Sequence, residues 1–305
     1  MPTPSRRLAA APLAALALVA ASCGSSTPEP EEEFEQTPQG SLRLPNEDAG
    51  TIPARCGPGG GRTVAPEALT IAVDDPAFAP WIIDNDPASG QGFEGAIARS
   101  VADTLGYSPE ATVFVRVPFD EALEAGPKDF DFAINQFSIM GERRENVDFS
   151  APYYAVAQAV VALEGTPAAA ATTMDDLEDL AIGADSSSTS MYAAEHSIEP
   201  GTDPVGYASV ADAASALASG EIDALVADLP TAVRIANDQL AGGVVVGRFP
   251  APNEVTEFLG LVLEKDSDFT ECASLALQKL HHEGALEELA HVWLTDHEDV
   301  PVLTR

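Results

Sequence analysis

Basic residues are scarce in this chain of 305 residues: Lys and Arg together number 15 against 49 Asp and Glu, a formal net charge of −34. So few cations cannot replace the counterions of a phosphate backbone, which argues against nucleic acid as a partner. The acidic excess reads as a solvated, self-repelling surface that favours solubility, and names no ligand. Catalytic signatures are also missing. There is no Gly-x-Ser-x-Gly elbow, no Gly-Lys-Ser/Thr phosphate loop and no His-Glu-x-x-His. His281, His282 and His291 lie on or near the terminal helices without ligand spacing, and read as surface residues rather than metal ligands. Neither an enzyme, a cofactor nor a metal is expected. Cysteine is limited to three residues, Cys23, Cys56 and Cys272.

What is present begins at the N-terminus. Arg6-Arg7 precedes an Ala/Leu/Val-rich run from Leu8 to Ala21, followed by Ser22-Cys23-Gly24. A short apolar run behind a basic patch and before small residues is a secretory signal, too short and wrongly flanked for an ordinary membrane span. Val19-Ala-Ala-Ser-Cys23 resembles the lipobox of bacterial lipoproteins, which implies cleavage before Cys23 and a lipid on its sulfur. The expectation is export, with residues 1–22 as signal and anchorage to the outer face of the cell membrane. Residues 23–67 are rich in Pro, Glu, Gly and Ser, with acids clustered from Glu29 to Glu35 and glycines at Gly57 to Gly61. Such a segment buries too little apolar surface to offset its ordering entropy, and is expected to be a flexible tether. Cys56 and Cys272 remain as an even pair in an oxidising compartment. They allow a disulfide pinning the end of the tether to a later helix, or two separate thiols.

From Leu69 the chain alternates. Leu69–Val73 reads as a buried strand; Phe93, Ile97, Val101 and Leu105 form a helical stripe ended by Gly106; Val113–Val117 is a strand and Asp120–Gly126 a short helix; Asp131–Ile134 is again a strand. A second round follows. Ala155–Leu163 is one long apolar run, and after a soft linker come strands at Ala181–Ala184, Pro204–Tyr207, Asp223–Ala227 and Val244–Arg248. Helices fall near Met191 and at Val210–Ser219. Phe258–Leu263 is a strand, and helices Phe269–His282 and Ala285–Leu294 close the chain. The pattern is α/β, with two lobes joined by two crossing strands: residues 68–157 and 254–305 in the first, 158–253 in the second. A cleft between them at the carboxyl ends of the strands is the expected site.

Within that pattern Asn135 to Tyr154 sets polar turn residues and Arg143-Arg144 beyond a strand end, and a guanidinium beside backbone N–H groups suits a carboxylate. This stretch, Gly92-Phe-Glu94, Ile182 to Thr189, and Asp223-Ala-Leu-Val-Ala-Asp-Leu-Pro230 are similar in order and spacing to the bacterial extracellular solute-binding proteins of the amino-acid type. These bilobal receptors feed ATP-driven importers. The resemblance implies that Arg143 clamps a ligand carboxylate while Arg144 faces solvent, and that Ser138 and Gln136 add backbone groups. Ser188 and Thr189 then touch the same carboxylate from the second lobe, and Asp228 takes the ligand's ammonium. Asp74, or Asp75 in the other register, and Glu94 are further candidates, with Phe78 and Phe119 as aromatic walls and Trp81 a weaker one. Three departures stand out. Met140-Gly141 replaces the family's usual Thr-Pro, Gly95-Ala96 follows the Gly-Phe-Glu, and Ser187 stands where glycine is common. The expected protein is a monomeric receptor that closes on a small polar solute, an amino acid, and delivers it to a membrane permease. A sensor acting through a membrane partner and a dehydratase-like enzyme on the same fold, with Glu94 as its acid, are the alternatives.

Overall fold

The computed structural model describes residues 35–36, 42–43, 51–249, 257–294 and 300–305. The expected signal segment, Cys23 and most of the tether lie outside the described residues. Within the tether, Glu35–Gln36 pairs antiparallel with Leu42–Arg43.

The first lobe is a five-stranded sheet in the order β2-β1-β3-β10-β4, with β1 Leu69–Val73, β2 Thr112–Arg116, β3 Phe132–Ala133, β4 Val147–Val156 and β10 Glu257–Glu264. β1 is parallel to β2 and β3, whereas β10 is antiparallel to β3 and β4. Every residue of β1 is buried, Thr70 included, as befits an interior parallel strand covered on both faces. Helices α1 Phe93–Leu105, α6 Thr270–His282 and α7 Ala285–Trp293 bring Ile97, Val101, Leu105, Ala276 and Leu286 into one core with Ile71 and Leu261. α1 starts at Gly92, whose φ of 92° and missing Cβ let the Trp81 carbonyl come close. That carbonyl accepts from the Glu94 and Gly95 N–H groups at 2.9 and 3.1 Å, which would otherwise be unpaired at the helix start. The short helix α2 covers Phe119–Leu123, slightly earlier than the expected Asp120–Gly126.

The second lobe is a sheet in the order β9-β5-β8-β6-β7, from β5 Gln158–Leu163, β6 Ile182–Asp185, β7 Val205–Tyr207, β8 Ala224–Asp228 and β9 Gly243–Phe249. Helices α3 Thr189–Ala193, α4 Val210–Ser219 and α5 Leu229–Arg234 flank it. The apolar run Ala155–Leu163 is therefore two strands, not one. It ends β4 of the first sheet, breaks at Ala157, whose carbonyl accepts from the Leu229 N–H at 2.9 Å, and resumes as β5 of the second. The expected return crossing falls on residues 250–256, outside the described residues.

Two domain boundaries need correction. Residues 51–67 are not tether. Cys56 is fully buried in the first-lobe core and bonded to Cys272 of α6, with S–S 2.02 Å and Cα–Cα 5.3 Å. The Val64 N–H donates to Asp131 Oδ1 at 2.7 Å, so backbone polar groups of this segment are satisfied by the fold. The last residues, 300–305, belong to the second lobe rather than the first. The Leu303 N–H donates to the Arg248 carbonyl at 2.8 Å, the Arg248 N–H to that of Pro301 at 2.8 Å, and the Leu303 side chain is buried in the second-lobe core. The tail covers the outer edge of β9, a row of backbone groups that sheets do not leave bare. Gly247 permits this close approach, since a Cβ there would lie 2.6 Å from Leu303 Cγ.

Candidate functional site

Strand ends and loops of both lobes converge on one cavity of about 430 Å³, within the range of small-molecule sites. From the first lobe come Asp74, Phe78, Phe119, Gln136, Ser138 and Arg143; from the second, Ser188, Thr189 and Asp228. Nine of the expected ligand residues thus line one cavity. Glu94 is the exception and is corrected. It is buried behind the cavity, accepting from the Gln136 N–H at 2.7 Å, Gln136 Nε2 at 2.5 Å and the Tyr153 hydroxyl at 2.5 Å. Its side chain fixes Gln136, whose φ of 47° is unusual for a side-chain-bearing residue. Burial drives the Glu94 carboxyl up to about 7 from an ordinary 4.5, against the pull of those three hydrogen bonds. The Gln136 N–H is therefore spent on Glu94 and does not face a ligand.

The lobes are fastened across the cavity by specific contacts. Arg143 donates from Nη1 to the Ser138 carbonyl and from Nη2 to the Ser187 carbonyl of the other lobe, both at 3.1 Å, and its guanidinium lies 5.3 Å from the Phe119 ring centre. Phe119 stacks in turn on Phe137, with centroids 4.8 Å apart. Arg144 is exposed, over the Phe149 ring. Trp81 lines no part of the cavity. It is buried, and its Nε1–H donates to Thr231 Oγ1 of the second lobe at 2.9 Å, while Arg234 Nη1 donates back to the Ala79 carbonyl at 2.5 Å.

Two residues that the sequence did not single out complete the site. Gln158, fully buried at the start of β5, donates from Nε2 to Asp228 Oδ1 at 2.8 Å and to Glu257 Oε2 at 2.9 Å. Glu257, at the start of β10, also accepts at Oε1 from Thr189 Oγ1 at 2.5 Å and from the Ser138 hydroxyl. Both carried a signal. Gln158 is the one polar side chain in the apolar run Ala155–Leu163, and Glu257 is an acid directly ahead of the apolar strand Phe258–Leu263. Burial and the Glu257 carboxylate push the Asp228 carboxyl up to about 8. The hydrogen bond from Gln158 and the charge of Arg143 pull the other way. Burial lowers Arg143 from its usual range, opposed in order of influence by the negative charges of Glu257, Asp228 and Asp120. Asp74 accepts from the Asp75 N–H at 2.7 Å and from Asn135 Nδ2 at 3.2 Å. The Ser188 hydroxyl is engaged in its own turn, donating to the Asp185 carbonyl at 2.9 Å. Among the described residues no group of three or more His, Cys, Asp or Glu is arranged to hold a metal ion.

A family model described as bacterial extracellular solute-binding proteins, family 3, matches residues 69–296. The chain belongs to this family. The match spans both lobes and every cavity residue named above. An arginine-binding periplasmic protein of Mannheimia haemolytica is 25% identical over 237 residues, covering 77% of this chain and 94% of that protein. Among solved structures, an ancestral arginine-binding protein bound to arginine superposes with a TM-score of 0.60 at 25% identity, over 74% of this chain and 98% of its own. The arginine-, lysine-, histidine-binding protein of Geobacillus stearothermophilus gives a TM-score of 0.61 at 22% identity, over 76% and 97%, a likeness of fold. The two-lobed α/β fold of this family 3 protein is thus that of amino-acid-binding periplasmic proteins. Among the described residues no helix is long and apolar enough to cross a membrane.

Proposed function

We propose that this family 3 protein is the exported, monomeric receptor of an ATP-driven importer. It is held at the outer face of the membrane by lipid on Cys23, and closes its lobes on a small polar solute for delivery to a permease. The solute carries a cationic nitrogen, and amino acids are the class to which the names of its relatives point. The observation that carries this reading is one cavity lined by Arg143 and Ser138 of one lobe and by Thr189 and Asp228 of the other. A ligand touching both walls favours the closed state by the difference in its contacts with the two states. The placement of Glu94 supports binding rather than catalysis. The acid that a dehydratase-like reaction would use is turned away from the cavity and held by Tyr153 and Gln136.

A thermal-shift screen of the purified protein against amino acids and small amines tests the proposal. A true ligand at about 100 times its dissociation constant stabilises by about 3 kcal/mol, which raises Tm by several degrees. A screen in which no amino acid or amine moves Tm contradicts it.

A further inference from the structure

The groups assigned above to a ligand's carboxylate already hold one. The Ser138 hydroxyl of the first lobe and Thr189 Oγ1 of the second both donate to Glu257 Oε1, and Gln158 Nε2 donates to Oε2. The two terminal nitrogens of Arg143 are directed at the carbonyls of Ser138 and Ser187, and the foremost opposing charge near its guanidinium is Glu257. A side chain of the protein therefore occupies the hydroxyls with which the two lobes would clamp a bound acid, and its charge acts on the one arginine of the cavity. A second carboxylate entering beside it would share one guanidinium with Glu257. Two like charges in a partly desolvated site oppose each other's ionisation, and a buried charge left without a partner is strongly unfavourable.

The rest of the cavity wall has the opposite requirement. Asp74, Asp75, Asp120, Asp185 and Asp228 line it, against Arg143 alone. Asp228 shares the Gln158 amide with Glu257, so the built-in carboxylate and the expected cation partner form one hydrogen-bonded unit. A solute that brings positive charge satisfies this wall. A solute that also brings a carboxylate must first dislodge Glu257 from Ser138, Thr189 and Gln158.

We infer that Glu257 supplies in the chain the carboxylate that an amino-acid ligand would otherwise bring, so that the cleft selects amines and guanidines without a carboxyl group over the corresponding amino acids. This rests on the receptor reading and narrows its ligand class. The specificity is a difference in affinity produced by a repulsive element, since Glu257 penalises the competitor rather than adding a contact to the ligand.

The test is isothermal titration of the purified protein with agmatine and with arginine, which share a guanidinium and differ by the carboxyl group. Agmatine is expected to bind at least about tenfold more tightly, a difference of about 1.4 kcal/mol. In Glu257→Ala, which frees Ser138 and Thr189 and removes the charge nearest in influence to Arg143, arginine is expected to gain at least about tenfold relative to agmatine. Glu257→Gln keeps the volume and an accepting oxygen while removing the charge, and is expected to shift the ratio in the same direction. It serves as the check if the alanine variant folds poorly. Arginine binding as tightly as agmatine while Glu257 is in place overturns the inference and leaves the receptor reading standing, as does a ratio unchanged in both variants. Binding of neither compound overturns the inference and leaves the receptor reading to the wider screen.

Discussion

Asp228→Asn weakens the binding of a cationic ligand by about 3 kcal/mol, roughly 100-fold, because it removes the charge at the end of β8 that faces the cavity. The substitution preserves the shape of the side chain and an oxygen able to accept from Gln158, so the variant should fold and melt close to the parent protein. The same residue sets a pH dependence. With the lobes closed, burial and the neighbouring Glu257 and Glu94 carboxylates raise Asp228 to about 8, partly opposed by Gln158 and Arg143. Below that pH the closed form holds a proton on Asp228, and a cation has to displace it. Affinity therefore rises with pH up to about 8 and then levels. Between pH 8 and pH 6 it falls by up to about 50-fold where the unliganded lobes are already closed, and by less in proportion to the share of open, solvated Asp228. In Asp228→Asn the curve flattens. Calorimetry at pH 6, 7 and 8 measures both effects, and a parent affinity independent of pH would remove Asp228 from the cation-binding role.

Loss of the Cys56–Cys272 disulfide has a comparable effect on stability and a different one on binding. The bond closes a loop across a sequence separation of 216 residues and ties the segment before β1 to α6. Removing a native disulfide costs about 2–5 kcal/mol in small secreted domains, and a long loop lies toward the larger end of the entropic account. Both sulfurs are buried in the first-lobe core, beside Leu105 and Ala276, so serine at these positions adds unpaired hydroxyls to the loss. The double variant Cys56→Ser/Cys272→Ser, which leaves no unpaired thiol at either site, is expected to melt roughly 5–15 °C lower. Neither cysteine lines the cavity, so ligand affinity measured well below the melting range stays near that of the parent. Scanning calorimetry supplies the first quantity. A melting temperature within about 2 °C of the parent would show that the other contacts of residues 51–67, such as Val64 with Asp131 and Arg55 with Glu271, suffice to hold them.

The parts of this fold that were legible in the sequence are those set by local patterning. The stripe Phe93, Ile97, Val101 and Leu105 marks α1, with its glycine at Gly106, and the runs Leu69–Val73 and Phe258–Leu263 mark buried strands. Arg143 and Asp228 could be placed on the cavity because the family resemblance covers their motifs, Arg143 in the turn ahead of β4 and Asp228 as the last residue of β8. What local pattern does not carry is register between distant strands and the direction of a side chain at a helix start. Glu94 opens α1 as the motif implies, yet its carboxylate points to Tyr153 and Gln136, because the close approach of Gly92 to Trp81 fixes how the helix enters the core. Glu257 reaches the site only because β10 runs antiparallel to β4, pairing Glu257 with Val156 beside the crossing into β5. Nothing near residue 257 in the sequence contains that pairing. The same holds for the tail. Pro301 and Leu303 are an ordinary proline and leucine until β9 offers them an open edge and Gly247 a place for the leucine side chain.

Serine and threonine in this cleft show how the same residues can be identified correctly and still act differently. Ser138, Ser188 and Thr189 all line the cavity, as their motifs imply. However, Ser188 closes its own turn, whereas Ser138 and Thr189 donate to Glu257. Donor capacity at such sites is finite, one O–H per hydroxyl, so the presence of an accepting carboxylate from the chain decides what a ligand is left to bind.

In the proposed receptor a small cationic solute draws the two lobes together around Asp228. Small-angle X-ray scattering of the purified protein, alone and with saturating agmatine or arginine, measures that most directly. The account predicts a lower radius of gyration with the bound solute, and no such decrease in Asp228→Asn at the same concentration. An unchanged radius of gyration at a concentration that raises Tm would contradict it.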